Sequence, residues 1–274
     1  NDNKLRIASF NCKNVKTSVD EIRELCSRFD IILLQETWLT DLESPILSQI
    51  SQDFYFKAVS AIDTQSALLS GRPHGGLAIL WRKSLGSAAK PVTYDDSRLL
   101  GLEITDDVKL LIINVYLPCS DVENEEELMF YLGKIDSIIC ATETSYCAVM
   151  GDFNADLKEN SEGQHVQLFG RKLKSFCNNE ALIISDYERL PSDTSTFLSL
   201  SHGTSSWLDH IVTTCSMHDI LDDIRVEEDY ITSDHCPLSA TINLNVARVK
   251  IDKSDRSTQR FIKWDSMNSH DFNK

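Results

Sequence analysis

The amino-acid sequence predicts a layered α/β protein in which strands of both directions form mixed β-sheets. Strand-like and helix-like segments alternate along the 274 residues, and the strands outnumber the helices. Because a βα barrel needs a helix after every strand, the shortage of helices argues against that fold. No linker rich in proline or glycine interrupts residues 4–246, so one domain is expected over residues 1–246.

Short runs of apolar residues mark the expected strands. Residues 5–10 (LRIASF) alternate apolar and polar side chains, as a half-buried strand does, whereas residues 30–34 (DIILL) are apolar almost throughout. Further strands are expected at residues 76–81, 99–104, 108–115 and 146–150. The last third predicts short strands near residues 196–198, 208–214, 224–226 and 237–242.

Three segments carry the spacing of an amphipathic helix. Ser18 and Glu21 match the S-x-x-E pattern of a capping box, so a helix is expected to begin there. A second helix is expected to open with the acidic stretch 121–127, where carboxylates favour the helix dipole. A third is expected around residues 166–177, with apolar side chains on one face.

Composition and charge restrict the class of function. The apolar content of 42% and the charged content of 25% are those of an ordinary globular protein. No apolar run reaches the ~20 residues that span a membrane, so no membrane partner is expected. The net charge of −15 argues against a simple nucleic-acid binder, although bound divalent cations offset carboxylates locally. Eight cysteines without metal-finger spacing indicate free thiols in a reducing, intracellular compartment.

The C-terminal segment 247–274 differs from the rest of the chain. Residues 248–274 hold seven Lys or Arg and four Asp, a charge of +3, so that the preceding chain carries −18. The segment is polar and has little periodicity apart from Phe261, Ile262 and Trp264. We interpret it as a linker that leads towards a further domain.

Polar residues fall where strands are expected to begin or end. Taken singly, each has a simple explanation as a turn residue, an edge charge or part of a surface loop. Six such positions together favour a site at one rim of a sheet. They are Asn11, Glu36, Tyr116, Asp152 with Asn154, Asp209 with His210, and Ser233 with Asp234 and His235.

These residue types suit the hydrolysis of a phosphate ester. Glu36, with another carboxylate or carboxamide, would supply oxygen ligands to a hard divalent cation. Tyr116, Asn154 and Asn11 are able to donate hydrogen bonds to the phosphate.

The same set includes groups that handle protons. A histidine held by a buried carboxylate is a recurrent way to activate or orient a water molecule, and His235 held by Asp209 would serve here. Asp152 would share the work of positioning the water.

Seven short blocks carry these residues in a fixed order, and their order resembles the endonuclease/exonuclease/phosphatase superfamily, whose fold is similar to DNase I. The resemblance covers about residues 4–244 and implies a four-layered α/β/β/α sandwich with two packed mixed β-sheets. GDFN followed by a late SDH is its most specific part. The blocks are RIASFN, LLQE, GGLAIL, INVYLP, GDFN, SWLDHI and SDHCPL.

Within the superfamily the chain is most similar to the apurinic-like endonuclease domain of non-LTR, LINE-type retrotransposons. SWLDHIVTT has the form typical of that branch, and Thr196 stands thirteen residues before Asp209, which leaves residues 198–206 as a short hairpin. RFIKW in the tail resembles the linker towards a reverse transcriptase. Repair enzymes of the superfamily often have an aspartate two residues after the first asparagine. Lys13 stands there, which favours the retrotransposon branch and leaves a second metal site open.

The resemblance also implies roles for individual side chains. Glu36 would be the main Mg²⁺ ligand, helped by Asn11 and Asp234, and Mn²⁺ is expected to substitute for Mg²⁺. The other implied roles are phosphate binding by Tyr116 and Asn154, orientation or deprotonation of water by Asp152, a dyad of Asp209 and His235, and substrate contacts by Thr196, Ser233, His74 and Lys13.

Three functions are open at this point. The leading hypothesis is a Mg²⁺-dependent endonuclease that nicks one strand of double-stranded DNA in the nucleus, leaving a 3′-hydroxyl for a fused reverse transcriptase. A phosphatase or phosphodiesterase acting on lipid or small phosphate esters would use the same catalytic residues. A catalytically silent copy would only bind a partner.

The rim of the site would distinguish the two enzymes. A basic track would favour DNA, whereas a closed pocket would favour a small substrate. The candidate track residues are Lys13, Lys16, Arg72, Arg82, Lys83, Arg98 and Lys158.

Overall fold

A computed structural model describes residues 3–62, 74–158, 167–199 and 203–248. The strands are β1 (Lys4–Asn11), β2 (Ile31–Gln35), β3 (Phe54–Val59), β4 (Leu77–Arg82), β5 (Ala89–Thr93), β6 (Leu99–Thr105), β7 (Lys109–Tyr116), β8 (Tyr146–Asp152), β9 (Leu182–Ile184), β10 (Phe197–Ser199), β11 (Thr204–Ser206), β12 (Asp209–Thr214), β13 (Leu221–Val226) and β14 (Leu238–Asn243). The α-helices are α1 (Val19–Arg28), α2 (Glu125–Ala141), α3 (Leu168–Asn179), α4 (Ser185–Arg189) and α5 (Cys215–His218). Short 3-10 helices lie at Ser44–Gln49, Lys83–Ala88 and Val122–Asn124.

Two six-stranded sheets form the centre of the molecule. The first has the strand order β13-β14-β1-β2-β4-β3 and the second the order β5-β6-β7-β8-β12-β9. In each sheet one neighbouring pair is parallel, β1 with β2 and β7 with β8, and the other pairs are antiparallel. The prediction of mixed sheets is therefore confirmed.

The apolar residues of each strand divide between two cores, because successive side chains point to opposite faces. In β1, Ile7 packs between the two sheets against residues such as Ile112, while Phe10 packs outward against the α1 side. The outer face of the second sheet is covered by α2 and α3 through Leu132 and Phe169. The four layers are helix, sheet, sheet and helix, as the resemblance implies.

Helix α1 begins where the sequence predicts, but the prediction of a capping box is wrong. The Ser18 hydroxyl donates to Cys12 O at 2.8 Å instead of capping the helix. Glu21 accepts the backbone N–H groups of Ile231 and Thr232 at 2.7 and 3.0 Å. Both side chains therefore serve tertiary contacts, and Glu21 anchors the loop that precedes β14.

Strands β3 and β5 were not expected from the sequence. Both lie at sheet edges and keep part of their side chains in solvent, so their apolar signal is weak. Strand β5 also contains Pro91, which an edge strand tolerates because one row of its N–H groups faces outward. Val166, expected in the third helix, and Arg72, expected in the basic track, lie outside the described residues.

The packed body continues slightly beyond the expected boundary at residue 246. Ala247 is buried, and the guanidinium of Arg248 lies 2.8 Å from a carboxylate oxygen of Asp107. The expected linker 249–274 falls outside the described residues. All eight cysteines are free. No helix in the described ranges has the length and apolar character needed to cross a bilayer.

Candidate active site

The predicted polar strand ends meet at one rim of the two sheets. Asn11 lies opposite Gln35 in the parallel pair β1–β2, and Tyr116 lies opposite Asp152 in the parallel pair β7–β8. Asp209, the first residue of the antiparallel strand β12, also lies opposite Asp152. Asn11 joins the two sheets, because its Nδ2 donates to Asp152 Oδ2 at 2.9 Å.

The glycine of GDFN is required by this arrangement. Gly151 has a φ of +151°, and a Cβ built on it would lie 2.0 Å from the carbonyl oxygen of Val115 on the neighbouring strand. Any side chain would therefore separate β7 from β8 at the point where Asp152 enters the site.

Glu36 lies at the centre of three hydrogen-bond donors. Its Oε1 accepts from Asn11 Nδ2 at 3.1 Å and from the Tyr116 hydroxyl at 3.0 Å. Its Oε2 accepts from the indole of Trp38 at 2.9 Å. Trp38 was not among the residues predicted from the sequence. Its indole reaches Glu36 because the backbone turns sharply at Glu36, where φ is +51°.

Tyr116 is held in its protonated form. Burial, followed by the negative charges of Glu36 and Asp152, raises the pKa of its hydroxyl well above the usual value. The phenol therefore keeps its single hydrogen throughout the neutral range and donates it to Glu36 Oε1.

His235 and Asp209 form the expected dyad. Nδ1 of His235 lies 2.8 Å from Asp209 Oδ2, and Nε2 lies 3.8 Å from Asp152 Oδ2, beyond hydrogen-bond range. The Phe197 ring packs edge-on against the imidazole with its centroid 5.0 Å away. Nδ1 is therefore fixed by the carboxylate, while Nε2 is left for a substrate or a water.

The charges of the dyad and of Asp152 are interdependent. Burial alone would lower the pKa of His235, but the carboxylates of Asp209 and Asp152 outweigh it and raise that pKa to about 9. Burial, reinforced by Asp209 and opposed by His235, raises the pKa of Asp152 to about 7. At neutral pH the imidazole is charged, and Asp152 is close to the balance between its two protonation states.

Asn154 lies on the loop that follows Asp152. The backbone N–H of Asn154 donates to Asp152 Oδ1, and its side-chain Nδ2 donates to Leu117 O, both at 2.9 Å. One hydrogen of the carboxamide is thus committed to the backbone, and the side chain is only partly buried. The other hydrogen stays available to a bound phosphate.

Thr196 and Ser233 lie behind the dyad and hold it in place. Oγ1 of the fully buried Thr196 accepts from the N–H groups of Leu208 and Asp209, both at 3.0 Å. Oγ of Ser233 accepts from the His235 N–H at 3.1 Å and donates to a backbone carbonyl of β1. Both side chains support the site from within, although they were expected to contact substrate.

Lys13, Asp234 and His74 lie at the edge of the site. Lys13 Nζ is 2.5 Å from Asp234 Oδ2, so the carboxylate expected to help hold Mg²⁺ is engaged in an ion pair. His74 is exposed beside Gly75, whose carbonyl accepts the N–H of Trp38 at 3.1 Å. His74 therefore sits on the same rim as Glu36, in a position open to substrate.

Backbone strain is concentrated around the site. Eight described residues other than glycine have a positive φ, and five of them lie on the loops that leave β1, β2 and β8. Such conformations cost about 1–3 kcal/mol each and persist where surrounding contacts enforce them. They are Lys13 (+46°), Asn14 (+106°), Glu36 (+51°), Trp38 (+55°) and Asn154 (+49°).

Residues 8–235 match the Endonuclease/Exonuclease/phosphatase family model, which is more than half of the chain. The chain belongs to the endonuclease/exonuclease/phosphatase family. Enzymes of this family are metal-dependent phosphoesterases, and the chain is accordingly a hydrolase of that kind. No individual curated protein sequence matches it.

Solved structures with the same fold include three relevant to nucleic acids. NExo from Neisseria, a 3′ phosphatase bound to a product DNA hairpin, is 17% identical with a TM-score of 0.68, over 86% of this chain and 98% of that chain. AP endonuclease LMAP from Leishmania major is 13% identical with a TM-score of 0.69, over 87% of each chain. The endonuclease domain of TRAS1, a telomere-specific non-LTR retrotransposon, is 18% identical with a TM-score of 0.63, over 88% and 99%. At these identities the likeness establishes the fold.

The side chains at the rim fit the divalent metal that the family uses. Carboxylate oxygens of Glu36 and Asp152 both approach the Asn11 amide, and Oδ1 of Asp209 is buried without a donor among the described residues. Ligand atoms of Asp152, Asp209 and His235 lie within 4.8 Å of one another. Because His235 and Asp209 are hydrogen-bonded to each other, Glu36, which is less buried, would be the better metal ligand, and Asp152 would lie next to it.

A second aspartate–histidine pair lies one residue away from the dyad. His210 Nδ1 is 2.8 Å from Asp186 Oδ2, and Nε2 is 2.8 Å from the Ala155 carbonyl. Sequence reasoning placed His210 at a strand end but did not identify Asp186 as its partner. No local pattern connects the short helix α4 with β12.

Proposed function

We propose that the chain is a Mg²⁺-dependent DNA endonuclease that nicks one strand of duplex DNA and leaves a 3′-hydroxyl. The observation that carries this proposal is the convergence of Glu36, Asp152 and the Asp209–His235 dyad at one open rim. Bound Mg²⁺ supplies a Lewis acid that polarises a phosphate oxygen. The residues of the chain supply binding, orientation and proton transfer.

The hydrolytic step follows from the positions of the side chains. Asp152 accepts a proton from the attacking water, whose oxygen forms a bond to phosphorus. His235, charged and held by Asp209, donates a hydrogen bond from Nε2 to a non-bridging oxygen of the phosphate. Asn154 donates its second amide hydrogen to the same phosphate, and Tyr116 turns its single hydrogen from Glu36 to it. The bond from phosphorus to O3′ breaks, and O3′ takes up a proton from a solvent water molecule, which gives a 3′-hydroxyl and a 5′-phosphate.

Four of the basic residues that were expected to form a DNA-binding track lie near the rim. Lys13, Lys16, Arg98 and Lys158 lie on loops at the catalytic end of the sheets, whereas Arg82 and Lys83 lie at the other end of β4. The first three are paired with carboxylates.

Lys158 differs from the other basic residues at this end. Its ammonium contacts the hydroxyls of Ser195 and Ser205, at 2.5 and 2.8 Å, and pairs with no carboxylate in the part of the chain that the structure describes. Its positive charge therefore lies beside the hairpin β10–β11. Lys158 therefore favours a polyanionic substrate that extends beyond the reacting phosphate.

We also propose that the nick primes reverse transcription in a non-LTR retrotransposon protein acting in the nucleus, with a reverse transcriptase fused beyond the tail. SWLDHIVTT, the hairpin β10–β11 and the TRAS1 endonuclease fold support this role. Residues 200–202, between β10 and β11 in the sequence, lie outside the described residues.

The first test is a plasmid nicking assay. Supercoiled plasmid with Mg²⁺ is expected to relax to open circles, with no product in EDTA and none with His235→Ala. His218→Ala, on α5 and away from the rim, is the matched histidine control and is expected to nick normally. Extension of the nick by a DNA polymerase would demonstrate the 3′-hydroxyl.

Failure of that assay would redirect the assignment. If the folded protein does not nick DNA but releases phosphate from lipid or small phosphate esters, the endonuclease proposal is wrong and the phosphatase alternative is correct. If it binds a partner and hydrolyses nothing, the chain is a silent copy.

A further inference from the structure

An ion pair at the mouth of the site has no role in the mechanism above. It joins Lys13, two residues after Asn11, to Asp234, which directly precedes His235. The ammonium lies 2.5 Å from Asp234 Oδ2, and the two side chains are 45% and 27% exposed. A fixed positive charge thus stands among the oxygen atoms expected to hold a metal.

The loop backbone places this lysine. Lys13 and Asn14 both have a positive φ, and Asn14 N–H donates to the Glu36 carbonyl at 2.9 Å. The Lys13 N–H donates to Asn11 Oδ1 at 3.2 Å. Because Asn11 Oδ1 is occupied in this way, the amide presents its Nδ2 rather than its oxygen to Glu36 and Asp152.

Lys13 therefore engages two of the three expected metal ligands. Its backbone N–H holds the oxygen of Asn11, and its ammonium holds the carboxylate of Asp234. Among the described residues Glu36 has no cationic partner and accepts hydrogen bonds from three neutral donors, Asn11, Tyr116 and Trp38.

We propose that Lys13 acts as a built-in cation that keeps Asp234 out of the metal site and limits the site to one weakly held divalent ion at Glu36. The ammonium offsets one negative charge of an acidic rim and costs the incoming ion one oxygen ligand. The inference rests on the proposed metal site of this protein, but not on DNA as its substrate.

The test is Mn²⁺ binding to the DNA-free protein, counted by electron paramagnetic resonance and titrated by calorimetry. The unmodified chain is expected to bind one ion. Lys13→Gln is expected to bind Mn²⁺ more tightly, on the order of 10-fold, because Asp234 becomes a ligand and a repelling charge is lost. Lys13→Gln combined with Asp234→Asn is expected to lose that gain.

Lys16→Gln is the matched control. Lys16 lies three residues away and pairs with Glu43 at the same 2.5 Å, with side chains 45% and 39% exposed. Its variant is expected to leave Mn²⁺ affinity unchanged. Lys13→Met, which keeps the alkyl stem, provides a second variant if Lys13→Gln disturbs the loop.

Two results would overturn the inference. In one, neither Lys13 variant binds Mn²⁺ more tightly than the unmodified chain. In the other, Asp234→Asn alone weakens binding more than about 10-fold, which would show that Asp234 is already a ligand. Neither readout involves DNA, so a failed nicking assay and a failed metal titration are distinguishable.

Discussion

Two aspartate–histidine pairs in this molecule have the same contact distance but differ in the contact that the second ring nitrogen makes. His235–Asp209 and His210–Asp186 both join Nδ1 to a carboxylate oxygen at 2.8 Å. In the first pair Nε2 has no hydrogen-bond acceptor within the described ranges and lies 3.8 Å from Asp152 Oδ2. In the second pair Nε2 is bonded to the Ala155 carbonyl.

The contact made by Nε2 distinguishes the catalytic pair from the structural pair. A carbonyl and a carboxylate both accept, so each nitrogen of His210 donates and the ring is charged. Burial alone would lower the pKa of His210, but the charge and hydrogen bond of Asp186 outweigh it and raise that pKa. The His210 pair is sealed at 0% exposure, while the His235 pair keeps one nitrogen for chemistry. A catalytic aspartate–histidine pair is therefore distinguished from a structural one by an Nε2 atom that is free to contact substrate.

Removing the carboxylate of the catalytic pair is expected to have the largest effect. Asp209→Asn should lower kcat by about 10²- to 10⁴-fold, because His235 loses the group that orients and charges it. The free energy of unfolding should fall by less than in the second pair, because the imidazole of His235 is 7% exposed at the rim whereas that of His210 is 0% exposed. Steady-state kinetics and urea unfolding of the same preparation check both statements.

The equivalent change in the sealed pair is expected to act on stability. Asp186→Asn should lower the free energy of unfolding by about 3 to 5 kcal/mol, because it leaves a buried imidazolium without its partner. The folded fraction should keep kcat within about 10-fold of the unmodified enzyme, since His210 does not reach the rim. If Asp186→Asn instead reduced kcat as far as Asp209→Asn at normal stability, the distinction between the two pairs would fail.

Thr196 offers a smaller test of what holds the catalytic pair. Thr196→Val removes the acceptor of two buried N–H groups, so unfolding should become easier by about 1 to 3 kcal/mol and kcat should fall moderately. Thr196→Ser keeps the oxygen and should restore both quantities. An equal loss in Thr196→Ser would mean that the methyl group, rather than the hydroxyl, holds Asp209.

The smallest expected effect is on the pH dependence of kcat/KM, which reports the protonation of Asp152 and His235. Asp152 must be deprotonated to accept a proton, and bound Mg²⁺ favours the deprotonated form, so kcat/KM should rise with pH at values up to about 7. His235 must be protonated to donate, so kcat/KM should fall as pH increases through about 9. Asp209→Asn removes a cause that raises the pKa of His235, so the alkaline limb should move to lower pH. An alkaline limb that did not move would exclude His235 as its source.

Sequence reasoning reached the layered fold and the polar strand ends because both are local signals. Apolar periodicity marked β1, β2, β7 and β8, and the residues at their ends meet at one rim. The edge strands β3 and β5 were missed because half-exposed strands lack that contrast.

The missed features of the site depend on distant partners. The Lys13–Asp234 pair joins residues 221 positions apart, and Asp186 reaches His210 from a short polar helix. Ser18 and Glu21 match a capping box locally, yet the fold uses them to hold Thr232. Such pairings appear only when the chain is folded.

The first and last strands of the domain are neighbours, with Lys4 opposite Asn243 in the antiparallel pair β1–β14. During synthesis β1 leaves the ribosome long before β14 exists, although its other neighbour, β2, follows soon after it. The pair β1–β14 can form only after nearly the whole domain has been translated. His235 emerges just ahead of β14. The nascent chain therefore has no hydrolytic activity until the sheet closes, and this long-range pairing delays folding.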